Sequence, residues 1–418
     1  MTALNTEAEV SLAVRPQPLS AFPLPMGYLL IPAGEHTEEV RTALLAGKSP
    51  VQWPPALLAH AYALASDRDS ALAELNGSDP VTRYNRFVLD PDSDDADDLR
   101  HVLGEFGVLV DVVLFVVGRT DVPPELGTSD GELAATVLAL QASHALAQGN
   151  PDAAITLLDR GVREAGEESP ALRGVLTGAA ASVCRDCGDP SAEKRLVAAL
   201  ASLKDADGLR IARAELHLNL AGLLHERAED HPEMLNRCVP HYHSALQLVL
   251  RDEAPLLWAA AHANLATAYL TMPMTEASGQ LRLGVAAQSL RSALKVYTRE
   301  RFPEQWASVQ LNLANSLVYT PSKHQADNLV EAVDLYEAVL QARDRDADPL
   351  GRARVLANQG NALAHLGMFD QAKGKLFEAR YLFEEQHDHD SVRAVRSVLD
   401  EIARQETLLR TGQDGQQP

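Results

Sequence analysis

A chain of 418 residues is about three times a typical domain, so it must divide into domains or grow along one dimension as a repeat array. Hydrophobic residues make up 46% but aromatic ones only 5%; Ala and Leu, both strong helix formers, dominate instead and point to an all-α fold. A net charge of −21 without any basic cluster argues against nucleic acid and anionic lipid as partners, because Lys and Arg on phosphate hold both.

Residues 1–20 have no basic start followed by an apolar run, so no secretory signal is expected. Three cysteines cannot build a disulfide framework, which suits a reducing, cytoplasmic setting. Pro23, Pro25 and Pro32 bracket Gly27-Tyr28-Leu29-Leu30-Ile31, a short strand or an extended arm. Residues 57–75, with Ala59, Tyr62, Ala63 and Leu72, read as a degenerate helical pair. The acidic run 90–98 places carboxylates at the N-terminus of the helix that follows. Residues 102–117 are the most apolar stretch, yet they are short for a span and carry Glu105 and Asp111. They therefore read as buried protein, and no membrane insertion is expected. Together, residues 1–125 read as a mostly helical N-terminal module.

From residue 126 the chain repeats itself. Residues 133–165 contain Gln148-Gly149-Asn150-Pro151-Asp152-Ala153-Ala154, a Gly turn leading into a helix, and residues 171–206 offer Cys187-Gly188-Asp189-Pro190 at the same place. Leu218-Asn219-Leu220-Ala221 then recurs as Ala263-Asn264-Leu265-Ala266, Leu311-Asn312-Leu313-Ala314 and Ala357-Asn358-Gln359-Gly360. The asparagines lie 45, 48 and 46 residues apart, a solenoid period, and Trp258 and Trp306 each stand six residues before one of them. A second element follows each: His243-Ser244-Ala245-Leu246, Arg291-Ser292-Ala293-Leu294 and Tyr336-Glu337-Ala338-Val339. Val309, Leu313 and Leu317 fall on one helical face, as do Val333, Tyr336, Val339 and Leu340, and Thr320-Pro321-Ser322-Lys323 breaks the chain between them. Each unit is thus two antiparallel helices that must stack on a neighbour to bury their apolar faces.

The last unit is the clearest. Asn358-Gln359-Gly360-Asn361-Ala362-Leu363 precedes Gly367-Met368-Phe369-Asp370-Gln371-Ala372, Leu376 and Ala379. Gly360, Ala372 and Ala379 allow close helix approach, and Phe369 and Leu376 fill the space between. The order resembles the tetratricopeptide repeat across residues 209–386, and Tyr297 to Trp306 resembles the long-loop variety common in bacterial proteins. Asparagine-to-alanine spacings of 26, 29 and 26 in the earlier units, against 21 in the last, place the surplus in loops 272–283 and 321–328. The resemblance implies a right-handed superhelical solenoid of helix pairs over residues 126–390. A capping helix over 391–410 and a disordered Gly- and Gln-rich tail, 411–418, would follow.

By the same resemblance, Asn219, Asn264, Asn312 and Asn358 face a concave groove. An amide side chain carries donors and an acceptor, so a row of them can pair with the backbone of an extended peptide whatever its sequence. Asn315 and Asn361, one turn on, would point the same way. Each asparagine could instead bond to neighbouring helix ends and only fix the repeat. Arg354 and His365 flank the last groove position, although with Lys323 and Lys373 they are too few for a clamp on a peptide C-terminal carboxylate.

No metal, cofactor or catalytic site is expected. Cys184 and Cys187 form a lone CxxC and a structural zinc needs four ligands, which Cys238, His241 and His243 could complete only by folding back across a repeat. His387 and His389 suit a polar helix connection, and His217, His225 and His262 suit packed or surface positions. Phosphate-loop, dinucleotide, nucleophile-elbow and HExxH patterns are absent. The reading is a non-enzymatic scaffold that holds a protein or peptide partner, with self-association open. Two other classes remain: an assembly chaperone for a client metalloenzyme, a role that resembling repeat proteins play for hydrogenases, and a small-molecule-sensing regulator.

Overall fold

Apart from one isolated antiparallel bridge between Ala13 and Pro32, all regular structure in the computed structural model is helical; it describes residues 13–273, 279–319, 324–342 and 347–414. The chain forms two compact units, Met1–Leu223 and Leu224–Pro418.

The first unit opens with short helices α1 (Thr37–Leu45), α2 (Leu58–Leu64), α3 (Arg68–Glu74), α4 (Pro80–Leu89), α5 (Ala96–Val102) and α6 (Val108–Val116). Hairpins α7 (Gly131–Ala147) with α8 (Pro151–Ala165) and α9 (Pro170–Asp186) with α10 (Ala192–Ser202) follow, and the unit boundary falls within α11 (Arg210–Glu226). The acidic run acts as its position suggests: Asp95 caps α5 by accepting the Asp98 N–H, and Asp94 and Asp98 pair with Arg83. The apolar stretch lies inside this unit, with Leu109, Val110, Val112 and Val113 fully buried. No described helix is long and apolar enough to cross a membrane.

Residues 29–31, which follow a short 3-10 helix over Met26–Tyr28, join no sheet. They run extended through the interior, with Leu29, Leu30 and Ile31 buried, and side chains supply the hydrogen bonds a neighbouring strand would have given. Asn85 Nδ2 donates to the Leu30 carbonyl at 2.7 Å, and Asn85 Oδ1 accepts the Leu30 N–H at 2.8 Å. Gln17 does the same at Ile31, accepting its N–H at 2.9 Å and donating to its carbonyl at 3.1 Å. Tyr84 donates to the Tyr28 carbonyl at 2.9 Å. Buried peptide groups must be paired, and two amides, a phenol and the His60 ring, with Nε2 3.0 Å from the Leu30 carbonyl, supply much of that pairing here. Arg15 fastens the preceding segment with a two-pronged bond to Glu132 on α7, an acid almost wholly buried.

The second unit continues with α12 (Met234–Leu248), α13 (Pro255–Thr271) with α14 (Gly279–Ala293), α15 (Pro303–Tyr319) with α16 (Gln325–Ala342), α17 (Pro349–His365) with α18 (Phe369–Glu385), and α19 (His389–Asp414). Each helix packs on the next, and α13, α15, α17 and α19 also touch in turn, so the first helices of successive hairpins form one layer of a helical solenoid. Residues 279–283 and 325–328, expected in loops, are the first turns of α14 and α16; the break at Thr320-Pro321-Ser322-Lys323 lies outside the described residues. Residues 411–414 of the expected tail belong to α19, and 415–418 lie outside the described residues.

Local chemistry sets the hairpin ends. Asp348 accepts the Gly351 N–H with Pro349 at the first helical position, and Asn150 with Pro151 repeats the device at α8. Gly367 (φ 74°) ends α17 in the left-handed region, where the Met368 N–H returns to the Leu363 carbonyl. The helices then cross closely at Gly360, where an added Cβ would stand 2.7 Å from Leu376 Cγ. Leu376 is 1% exposed, so it contributes the roughly 1.5–3 kcal/mol of a fully buried leucine.

Candidate functional site

The layer of first helices carries the asparagines, and the hollows between its helices sort them. A hollow of about 630 Å³ lies over α13, α15 and α17 and is lined by Asn312, Asn315 and Asn358. Thr267, Thr271 and Ser316 add hydroxyls, and Leu270, Leu283 and Tyr319 supply apolar wall. Three of the expected groove residues therefore converge.

Their amides are not loose. Asn315 Oδ1 accepts from the Tyr336 hydroxyl at 2.7 Å and from Asn358 Nδ2 at 3.0 Å. Asn312 Nδ2 reaches Thr267 Oγ1 at 3.5 Å, a long contact. Burial pushes the Tyr336 hydroxyl far above the usual tyrosine range, so it stays protonated and must donate. With its oxygen occupied twice, Asn315 is left to offer its NH₂ donors, while Asn358 and Asn312 have carbonyl oxygens to offer.

The other expected positions go elsewhere. Asn264 is exposed and lines a separate depression with Tyr297, Glu304 and Ser308. Asn361 and His365 line a third cleft, between α17 and α19, with Ser397, Glu401 and Arg404. Arg354 is exposed; its charge adds to the Ser391 bonds that hold the Asp388 carboxyl below the usual range. Asn219 belongs to the first unit, where its oxygen accepts from Arg185 at 3.0 Å and its nitrogen donates to Ser182 Oγ at 3.2 Å. There the amide bridges α9 and α11.

Sequence reasoning passed over Thr267, Tyr319 and Tyr336. Thr267 had a signal, since it stands three residues after Asn264, as Asn315 does after Asn312. Tyr336 had none, because it reads as one apolar residue on an amphipathic face. The other candidates take packing roles. His225 Nδ1 lies 3.2 Å from the Tyr242 hydroxyl, and His262 sits edge-on to Trp258 with ring centroids 4.3 Å apart. Burial lowers the pKa of His225, and that of His262 to about 4. Cys184 and Cys238 are buried, Cys187 is exposed, and all three are free thiols. Burial raises the Cys238 thiol to about 11, away from reactive thiolate character. Among the described residues no three His, Cys, Asp or Glu side chains gather as metal ligands would.

The hairpin array and its hollowed layer define an all-α protein built as a helical solenoid of stacked hairpins. No family model matches the chain, and neither does any curated protein. Among solved structures, a monomeric mutant of IFIT1 with m7Gppp-AAAA is similar at 13% identity and a TM-score of 0.36, over 79% of this chain and 72% of that one. The APC/C hetero-tetramer Cut9-Hcn1 is similar at 12% identity and a TM-score of 0.23, over 84% of each chain. Likeness at this level does not bear on what the chain binds.

Proposed function

We propose that this chain is a non-catalytic binding scaffold that holds a segment of a partner protein in the hollow over α13, α15 and α17. The observation that carries the reading is the convergence of Asn312, Asn315 and Asn358 on one hollow with donors and acceptors to spare. Amide side chains can hold extended backbone with good geometry, as Asn85 and Gln17 do for residues 30 and 31 of this same chain. A preformed hollow leaves most of the ordering cost with the ligand. Three free thiols, two of them buried, suit a reducing cytoplasm.

The test is selection from a random-sequence peptide library by the intact chain, followed by titration of the selected peptides. Asn312→Ala with Asn358→Ala should weaken them tenfold or more, while Asn264→Ala and Asn361→Ala, which alter other depressions, should leave affinity within twofold. Failure to select any peptide, or equal loss from the Asn264 and Asn361 variants, overturns the assignment.

A further inference from the structure

Within a protein of net charge −21, the described lining of this hollow carries no charged side chain. Its polar atoms belong to amides and hydroxyls, and its remaining wall is leucine and tyrosine. An ionised side chain moved into it would meet no counter-charge among the described lining residues, a cost that neutral residues escape. A neutral polar site also gains nothing from releasing counterions, so its affinity should be almost indifferent to salt.

The hydrogen bonds around Asn315 add a second constraint. An asparagine free to rotate could present either end of its amide. Here the Tyr336 hydroxyl, arriving from α16, and Asn358 Nδ2, arriving from α17, both occupy Oδ1. The NH₂ end must then meet the ligand, and the Oδ1 atoms of Asn358 and Asn312 flank it as acceptors. A donor flanked by acceptors matches peptide backbone, which offers a carbonyl oxygen beside an N–H.

We propose that the occupant is an uncharged stretch of extended peptide, read through its backbone by Asn315, Asn358 and Asn312, and that Tyr336 is a positioning residue that fixes the direction of the Asn315 amide. The proposal rests on the hollow being the binding site, and it narrows what the hollow accepts. Specificity then comes from exclusion of charge together with one apolar side chain seated against Leu270, Leu283 and Tyr319.

The experiment uses the intact chain and two libraries of N-acetylated, C-amidated heptapeptides. One is restricted to uncharged residues; the other is matched but has Asp, Glu, Lys or Arg at the centre. Binders should come from the first library, change affinity less than twofold between 50 and 500 mM NaCl, and lose tenfold or more when the central residue is charged. Replacing one central amide by an ester removes a backbone donor and should weaken the best neutral peptide about fivefold or more. In Tyr336→Phe, where one of the two bonds that aim the Asn315 amide is gone, the part of the penalty that comes from the weaker ester carbonyl opposite Asn315 should shrink while the part from the N–H lost to Asn358 and Asn312 remains; a merely structural tyrosine would leave the whole penalty unchanged. Asn315→Asp provides a second variant, because its carboxylate still accepts from Tyr336 and Asn358 but presents no donor; it should abolish binding with an unchanged melting temperature. Preference for charged centres or a steep salt dependence overturns the neutral-ligand assignment while the hollow remains a binding site. An ester penalty unchanged in Tyr336→Phe overturns the positioning role. Failure of both libraries to bind removes the hollow as the site and takes the proposal with it.

Discussion

Asn85 holds the extended segment of the first unit by two bonds to a single residue, so its removal isolates what an amide contributes when it stands in for a β-strand neighbour. In Asn85→Ala the Leu30 N–H loses its partner at 2.8 Å, and the Leu30 carbonyl keeps only His60 Nε2, at 3.0 Å. Leu30 is fully buried and Asn85 is 2% exposed, so bulk water does not replace the lost partner. One orphaned buried N–H costs about 1–3 kcal/mol. The small void left by the amide adds about 1 kcal/mol more, for a total of about 2–4 kcal/mol. At about 1.4 kcal/mol per tenfold, the amides of residues 29–31 should exchange with deuterium roughly 30- to 700-fold faster. Hydrogen exchange read by mass spectrometry over residues 26–32 measures this, with denaturant unfolding as the global check. Gln17→Ala should behave alike, since Gln17 pairs both peptide groups of Ile31. Acceleration below twofold in Asn85→Ala would refute the reasoning, and would mean that the apolar side chains of Leu29, Leu30 and Ile31 hold the segment unaided.

Gly360→Val should destabilise the second unit by about 3 kcal/mol or more, because the new side chain meets Leu376 Cγ within a close-packed crossing. Leu376→Ala in the same chain should recover part of that loss, so a double-mutant cycle in urea should show strong non-additivity, and simple additivity would place the clash elsewhere. His60 is wholly buried, bonded through Nε2 to the Leu30 carbonyl, and desolvation lowers its pKa from 6.5 to about 4. Between those values the unfolded chain binds a proton that the folded chain refuses. The contribution of neutral His60 is therefore complete above pH 6.5 and is lost as pH falls toward 4, by about 3 kcal/mol in all. Urea midpoints at pH 7 and 4.5 should fall less in His60→Gln than in the wild type, and equal acid sensitivity would count against the buried neutral histidine.

Much of the hairpin architecture is legible in the sequence because its causes are local. The 3.6-residue apolar period, proline at first helical positions and glycine after last ones depend on neighbours a few residues away. Gly360, Ala372 and Ala379 could be assigned to close helix approach for the same reason. The extended segment at 29–31 is ambiguous in the sequence because its partners, Asn85 and Gln17, are 55 and 14 residues away and follow no period. The loops expected at 272–283 and 321–328 are shorter in the structure because residues 279–283 and 325–328 already form the first turns of α14 and α16.

For the candidate site the division is sharper. Sequence by itself determined that amides recur every 45 to 48 residues on the first helices of successive hairpins, and that no basic cluster stands beside them. Only the tertiary structure decided which of those amides meet. Asn312, Asn315 and Asn358 share a hollow, whereas Asn264, Asn361 and Asn219 face other surroundings despite an equivalent register. Register fixes the side of the helix from which a residue projects. What it meets there is set by the crossing of the next helix and by side chains such as Tyr336, contributed from another layer.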